Sequence, residues 1–166
     1  MRALLVIAMA CPGCVLDSSH VSTELVAVCT EDVPLVLERE TDTRSTARVE
    51  VKKVGAQVDD PDAHATLDTV SLAVLNGVDD LAFAEHMTLD VLAPGSGLPD
   101  ARVVDAPVAG TASVTAQGDD TIDLVGYLTA DELAIRLALD GPSPGDFAVL
   151  FDACIDVDGI VVDDEE

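Results

Sequence analysis

Polar and apolar residues alternate with a period of two along most of the chain from about Val21 onward. The clean alternations cover 48–52, 70–74, 86–91 and 133–139, and 147–151 is a nearly continuous apolar run. A period of two places one face of an extended strand in a core and the other in solvent, whereas a short apolar run is typical of a central strand. The chain is therefore expected to fold from strands.

Turn-forming residues separate these runs. They form clusters rich in Asp, Asn, Pro and Gly at 59–62, 76–77, 94–97, 117–120 and 141–145. Short strands that are interrupted this often by turn residues indicate an antiparallel architecture. We predict an all-β, antiparallel β-sandwich, immunoglobulin-like or similar, with eight or nine strands. The segment Asp79–Glu85 is predicted to be a short helical insertion.

The composition is that of one acidic domain. The 166 residues are 49% hydrophobic, which is enough to build a core and excludes a disordered acidic tail. Trp is absent, so the core must rest on Val, Leu, Ile and Ala. Eight Lys and Arg against 32 Asp and Glu leave a net charge of −24, which repels nucleic acid and anionic membrane surfaces. No nucleic-acid partner is expected, and the oligomeric state stays open.

Basic residues are concentrated in one short segment. The residues concerned include Arg44, Arg48, Lys52 and Lys53, with acidic residues among them. One interpretation is a hairpin in which 35–40 pairs with 47–53 and carries ion pairs on its outer face. The other is a near-neutral face on a repulsive protein, where a protein partner in the cell envelope would dock.

The first fourteen residues have the order of an export signal. Met1-Arg2 is followed by the apolar run 3–10 and then by Cys11-Pro12-Gly13-Cys14, and the run is too short to span a bilayer. Gly13-Cys14 resembles the junction of the bacterial lipoprotein signal, which implies lipidation of Cys14 and anchoring in the cell envelope. Lipidation at Cys11, an ordinary secretory signal and a misplaced start codon stay open. The predicted divisions are 1–13 signal, 14–23 tether, 24–162 domain and 163–166 acidic tail.

The remaining cysteines form a pair. With Cys11 removed and Cys14 lipidated, Cys29 and Cys154 are left in an exported chain. Such a pair predicts a disulfide that closes most of the domain. The alternative is two buried free thiols, which pack as small hydrophobic groups.

Metal binding has one motif-like candidate. Asp156, Asp158, Gly159 and Glu165 have the spacing of positions 3, 5, 6 and 12 of an EF-hand loop. Cys154 would then occupy the first position, which requires an oxygen ligand, so we interpret the segment as a strand end that enters a turn. No cofactor is expected, and calcium held here or by paired aspartates of the turns is the alternative.

No catalytic motif is visible. The segments 123–128, 133–139 and 141–145 are similar to segments of uncharacterised predicted bacterial lipoproteins with sandwich-like domains, a resemblance that implies no activity. The sequence therefore favours a non-catalytic envelope lipoprotein that acts as a structural or protein-binding module. A calcium-dependent adhesion domain and a secreted hydrolase with an unrecognised carboxylate site are the alternatives.

Overall fold

The computed structural model describes residues 26–51, 56–57, 62–110, 112–158 and 161–162. The elements, in chain order, are β1 Val26–Thr41, β2 Arg44–Val51, β3 Ala56–Gln57, β4 His64–Asn76, β5 His86–Leu92, β6 Ala101–Pro107, β7 Ser113–Gln117, α1 Val125–Leu128, β8 Leu133–Asp140, β9 Phe147–Asp158 and β10 Val161–Val162. The predicted all-β class is confirmed. The export signal, the tether and the acidic tail lie outside the described residues.

Eight strands form one antiparallel sheet in the order β6-β5-β8-β2-β1-β9-β4-β7, and β3 pairs with β10. The sheet folds over on itself into two layers. We call β2, β8, β5 and β6 the β8 layer, and β1, β9, β4 and β7 the β9 layer. The backbone N–H of Asp119, just after β7, donates to the carbonyl of Val103 in β6 at 2.8 Å, so the two edge strands approach each other.

The long strand β1 joins the two layers. Residues 26–30 and 33–37 pair with β9, with a bulge between them, and only Glu38, Arg39 and Thr41 pair with β2. The predicted hairpin therefore exists, but its predicted register is wrong. Leu35 pairs with Val149, because β1 crosses from one layer to the other before it turns back as β2. On its other edge, β2 pairs with β8 along its whole length, from Arg44 to Val51.

One apolar core lies between the layers. Leu37, Leu72 and Val149 of the β9 layer and Leu89 and Leu137 of the β8 layer are all at most 1% exposed and belong to the same cluster. In β4, β8 and β9, alternate residues enter this core, as the period-two pattern predicts. The intervening residues form two outer faces, one on each layer.

The predicted helix at Asp79–Glu85 is wrong. This segment forms turns, with Leu81 and Ala84 buried in the core and the N–H of Glu85 donating to the carbonyl of Asp140 at 2.7 Å. Tertiary burial thus overrides a weak helical pattern. The helix in the described chain is α1, a single turn that buries Tyr127, and no described helix is long and apolar enough to cross a membrane.

Gly118 permits the close approach of β7 to the bulge in β4. Its N–H donates to the carbonyl of Asp68 at 2.9 Å, and a side-chain Cβ here would overlap the carbonyl of Leu67. Because glycine has no Cβ, the backbone can pass at this distance and bring Asp119 to Val103.

Candidate functional site

The outer face of the β8 layer carries most of the described positive charge. The core-facing residues of β8 include Leu137 and Leu139, so Arg136 points outward together with Ala134 and Ala138. Four of the five arginines whose side chains the structure describes lie on this outer face: Arg44, Arg48, Arg102 and Arg136. We call it the arginine face.

Three of these arginines stand in one row across four strands. Arg48 of β2 is directly opposite Arg136 of β8, Arg136 is opposite Asp90 of β5, and Asp90 is opposite Arg102 of β6. Directly opposed residues on antiparallel strands have neighbouring side chains. One carboxylate thus lies between two guanidinium groups, and a third guanidinium lies at the end of the row.

Asp90 is the anchor of the row, with a side chain only 4% exposed. Arg102 Nε donates to Asp90 Oδ1 at 3.0 Å, while Arg136 Nη2 and Nε donate to Oδ2 at 2.8 and 3.2 Å. Both carboxylate oxygens are therefore held. The side chains of Arg102 and Arg136 stay 50% and 39% exposed, so part of each guanidinium faces solvent.

The ion pairs stabilise the charged form of Asp90. Burial alone would raise its pKa, but hydrogen bonds from Arg102 and Arg136, with the attraction of their charges, hold the pKa of Asp90 below its ordinary value. The hydrogen bond to Asp90 is also the largest cause that raises the pKa of each arginine. All three groups are consequently charged at neutral pH.

Weaker ion pairs surround the row. Arg136 Nη2 reaches Asp100 Oδ2 at 3.2 Å, and His86 Nδ1 lies 2.8 Å from Asp105 Oδ1. Arg44 contacts Glu40 at 3.3 Å and Asp140 at 3.2 Å. These groups are more exposed than Asp90, so each pair contributes little to stability. Their number leaves the face close to neutral.

Two polar groups on this face lack partners among the described residues. No ion pair is found there for Arg48, which is exposed. Thr88, two residues before Asp90 on the same face of β5, is 4% exposed, and its Oγ1 makes no hydrogen bond in the described chain. A buried hydroxyl without a partner costs free energy.

The structure describes two of the four residues that were predicted to form a partner face. Arg44 and Arg48 lie on the outer face of β2, as the alternation predicts. Lys52 and Lys53 lie outside the described residues, as does the predicted lipidation site Cys14. The arginine face is larger than the predicted one: from β2 it continues across β8 and β5 to β6.

The two predicted disulfide partners are joined. Cys29 of β1 and Cys154 of β9 are directly opposite each other, with Cα atoms 4.1 Å apart, and form a disulfide. The bridge lies beside a cavity of about 360 Å³ on the outer face of the β9 layer.

The calcium-loop candidates are part of a regular strand. Asp156 pairs with Ala27 and Thr66, and Asp158 pairs with His64, within β9. Glu165 lies outside the described residues. In the turns, Asp80 accepts from the N–H of Ala82, and Asp119 accepts from Thr121. Within the described side chains, no three His, Cys, Asp or Glu residues are grouped so that they could hold a metal ion.

Asp90, Arg102 and Arg136 were not among the predicted site residues. Arg102 and Arg136 are the last two basic residues of the chain, and each lies alone in a strand-like segment. Asp90 occupies a polar position of the alternation 86–91. These were usable signals, but the pairing of β5 with β8, which brings the three residues together, is not readable from the sequence.

Comparison with known proteins gives structural likeness without a family. No protein-family model matches the sequence, and no curated protein matches it. Among solved structures, the chain is similar to a family 32 carbohydrate-binding module from C. perfringens NanJ in complex with galactose. The TM-score is 0.45 and the identity 10%, over 78% of this chain and 93% of that one.

Two further structures are similar to the chain. One is the coat protein of Tobacco streak virus, with a TM-score of 0.35 and 14% identity over 90% of this chain and 97% of that one. The other is described as a CBM4, with a TM-score of 0.27 and 13% identity over 78% and 94%. Likeness at these TM-scores and identities carries no argument about function.

Proposed function

We propose that this chain is a non-catalytic binding module of the cell envelope, and that the arginine face docks a protein partner. The observation that carries the proposal is the collection of four of the five described arginines on one face of a chain with net charge −24. Elsewhere the surface repels an acidic partner, whereas here the ion pairs bring the charge close to zero. Arginine is also enriched at protein interfaces.

Rigidity supports this role. Asp90 fixes Arg102 and Arg136 from below, which leaves their exposed donors oriented before a partner arrives. A face that is already ordered loses less side-chain entropy on binding. Arg48, directly opposite Arg136, adds a guanidinium without an ion-pair partner in the described chain, and a carboxylate of the partner would relieve the repulsion between these two like charges.

The non-catalytic part of the proposal rests on what surrounds the titratable groups of the face. Asp90 has both oxygens engaged by arginines, which is typical of a structural ion pair. His86 is paired with the exposed carboxylate of Asp105 and is itself 46% exposed. General acid–base catalysis favours groups whose pKa lies near the working pH. The pKa of Asp90 is instead lowered, which moves it further from neutral pH.

A photo-crosslinking amino acid at position 46 tests the docking face. Thr46 lies between Arg44 and Arg48 on the outer face of β2. We expect irradiation of an envelope extract to give a crosslinked product of defined mass, and Arg48→Ala to weaken capture about fivefold, the effect of losing an interface contact of about 1 kcal/mol. The measurement is the crosslink yield by gel and mass spectrometry.

Two controls accompany this experiment. A crosslinker at position 115, on the outer face of β7, should not give the same product, and Arg39→Ala, outside the arginine face, should leave capture from position 46 unchanged. Equal products from positions 46 and 115, or a yield from position 46 that Arg48→Ala does not change, would contradict the proposal.

Envelope anchoring is a separate proposal, carried by the sequence Gly13-Cys14 after an apolar run. We expect protein from membrane extracts to have lost residues 1–13 and to carry a diacylglycerol on Cys14. Intact-mass measurement, followed by fragmentation of the N-terminal peptide, checks both points. A mature protein with an unmodified N-terminus would exclude the lipid anchor but would leave the docking proposal untouched.

A further inference from the structure

The outer face of the β9 layer is chemically unlike the arginine face. Two of its side chains, Val36 and Leu75, are 60% and 46% exposed, the two largest values among the exposed large hydrophobic residues described. Pro34 is exposed as well. We call the following set the apolar face: Pro34, Val36, Ala73, Leu75, Ala148 and Leu150.

These residues are contiguous across three strands. Pro34 of β1 is opposite Leu150 of β9, which is opposite Ala73 of β4. In the next row, Val36 is opposite Ala148, and Leu75 lies at the bulge of β4 beside it. Neighbouring outward residues of paired strands have side chains in contact range. The exposed Pro34, Val36 and Leu75 are thus joined into one patch by the half-buried Ala73 and Leu150 and the buried Ala148. Scattered apolar residues need no explanation, but a contiguous patch marks an interaction site.

Carboxylates stand at both ends of this patch. Glu31, Asp32 and Asp152 lie at one end, and Glu38 and Asp146 at the other. None of the five described arginines belongs to the outward rows of these strands. At the second end, Arg39 lies beside Glu38, donates its backbone N–H to Asp146 Oδ1, and has its own side chain engaged by Asp42 and by the carbonyl of Ser143. The described charge that frames the apolar face is therefore negative in sum, with three carboxylates at one end and two carboxylates beside one arginine at the other.

The surface is hollow at the end that holds three of these carboxylates. The cavity of about 360 Å³ lies there, and its lining includes Thr30, Glu31, Asp32, Ser71 and Asp152. The N–H of Asp32 donates to Asp152 Oδ1 at 2.6 Å and holds the two acidic residues together. A hollow of this kind accepts a side chain that projects from a partner lying on the apolar face.

We propose that the apolar face docks an extended partner segment whose apolar side chains are flanked by Lys or Arg. Charge complementarity selects this occupant. The apolar residues would cover Val36, Leu75 and Leu150, while the flanking cations would meet the carboxylates at the two ends. A second copy of this chain is disfavoured, since it would bring its own −24 charge and the same acidic frame.

Strand geometry sets the spacing of the partner segment. Asp152 and Leu150 are two residues apart on β9, and two residues of a strand span about 7 Å. A basic residue two positions from an apolar residue in an extended partner therefore reaches the carboxylates when the apolar residue covers Leu150.

The apolar face would be a second docking face, on the layer opposite the arginine face, so the module would bridge two partners.

The probe is a fluorescent peptide of alternating Leu and Thr with two lysines at each end, titrated with the purified protein and followed by anisotropy. The comparison peptide carries glutamates in place of the lysines. We expect saturable binding of the lysine peptide, and the double variant Val36→Ser with Leu75→Ser should weaken it at least about tenfold. Neither substitution changes charge, so general attraction to an acidic protein is held constant.

Leu98→Ser is the matched control, because Leu98 is also an exposed apolar residue (39%) but lies outside the apolar face. It should bind the peptide as the parent does. Unchanged binding in the double variant, or equal binding of the glutamate peptide, would overturn the proposal. So would concentration-dependent dimerisation in sedimentation that the double variant abolishes.

Discussion

Replacing Asp90 by Asn should lower the free energy of unfolding by about 3 kcal/mol, which is the lower end of the range for breaking a buried ion pair. Asn retains the shape of Asp but removes its charge. Arg102 and Arg136 would then approach each other without the carboxylate that now separates their charges. We place the effect at the lower end because both arginines reach solvent and water can partly replace the lost partner.

Denaturant unfolding of Asp90→Asn and of Asp105→Asn measures this difference. Asp105 also contacts Arg102, at 3.8 Å, but its side chain is 51% exposed. Its loss should cost less than about 1 kcal/mol, since exposed pairs contribute little. Equal losses in the two variants would mean that the row on the arginine face is an ordinary set of surface ion pairs.

Acid should remove the stabilisation that the charged Asp90 provides through its two arginines. The folded protein holds the pKa of Asp90 below 3.8, its ordinary value, so the pair stabilises fully above that value. As the pH falls through the lower folded pKa, the carboxyl gains a proton and the contribution disappears. The stability gap between parent and Asp90→Asn should therefore be unchanged between about pH 7 and about pH 5 and should narrow below about pH 3.8.

The strands were predictable because local sequence determines them. Each alternation, from 70–74 to 133–139, lies in a described strand, since its apolar positions must all enter one core. Asp79–Glu85 resembles a helix start locally, but Leu81 and Ala84 gain more from burial than a short helix would offer. The helix that does form, at 125–128, is one turn long, which is too short for a helical period to show in the sequence, although Asp123 Oδ1 accepts the N–H of Val125 at its start.

The candidate site was predictable only in part, and the reason is topology. Arg44 and Arg48 were recognised because they lie close together along the chain. Asp90 and Arg136 are 46 residues apart and meet because β5 pairs with β8. The apolar face depends in the same way on β1, β9 and β4, which are neighbours in the sheet but not in sequence. That strand order cannot be read from the local pattern of a single sequence.

Removing the disulfide should cause the second large loss of unfolding free energy. The double variant Cys29→Ala with Cys154→Ala should lose about 4–5 kcal/mol of unfolding free energy, because the bridge joins residues 125 positions apart and restricts the unfolded chain. In the folded state the bridge spans two positions that backbone pairing already places opposite each other, with paired residues on both sides. The fold itself should therefore persist.

Folding and unfolding rates distinguish a stability loss that arises in the unfolded chain from one that arises from lost contacts in the native state. The pairing of β1 with β9 joins the two ends of the domain, and without the bridge the chain must close that loop during folding. We expect most of the stability loss to be a slower folding rate with little change in unfolding rate, together with a larger denaturant m-value, since the unfolded chain exposes more surface. The reduced parent should behave like the double variant. A loss carried mainly by faster unfolding would show that the bridge acts through contacts in the native state instead.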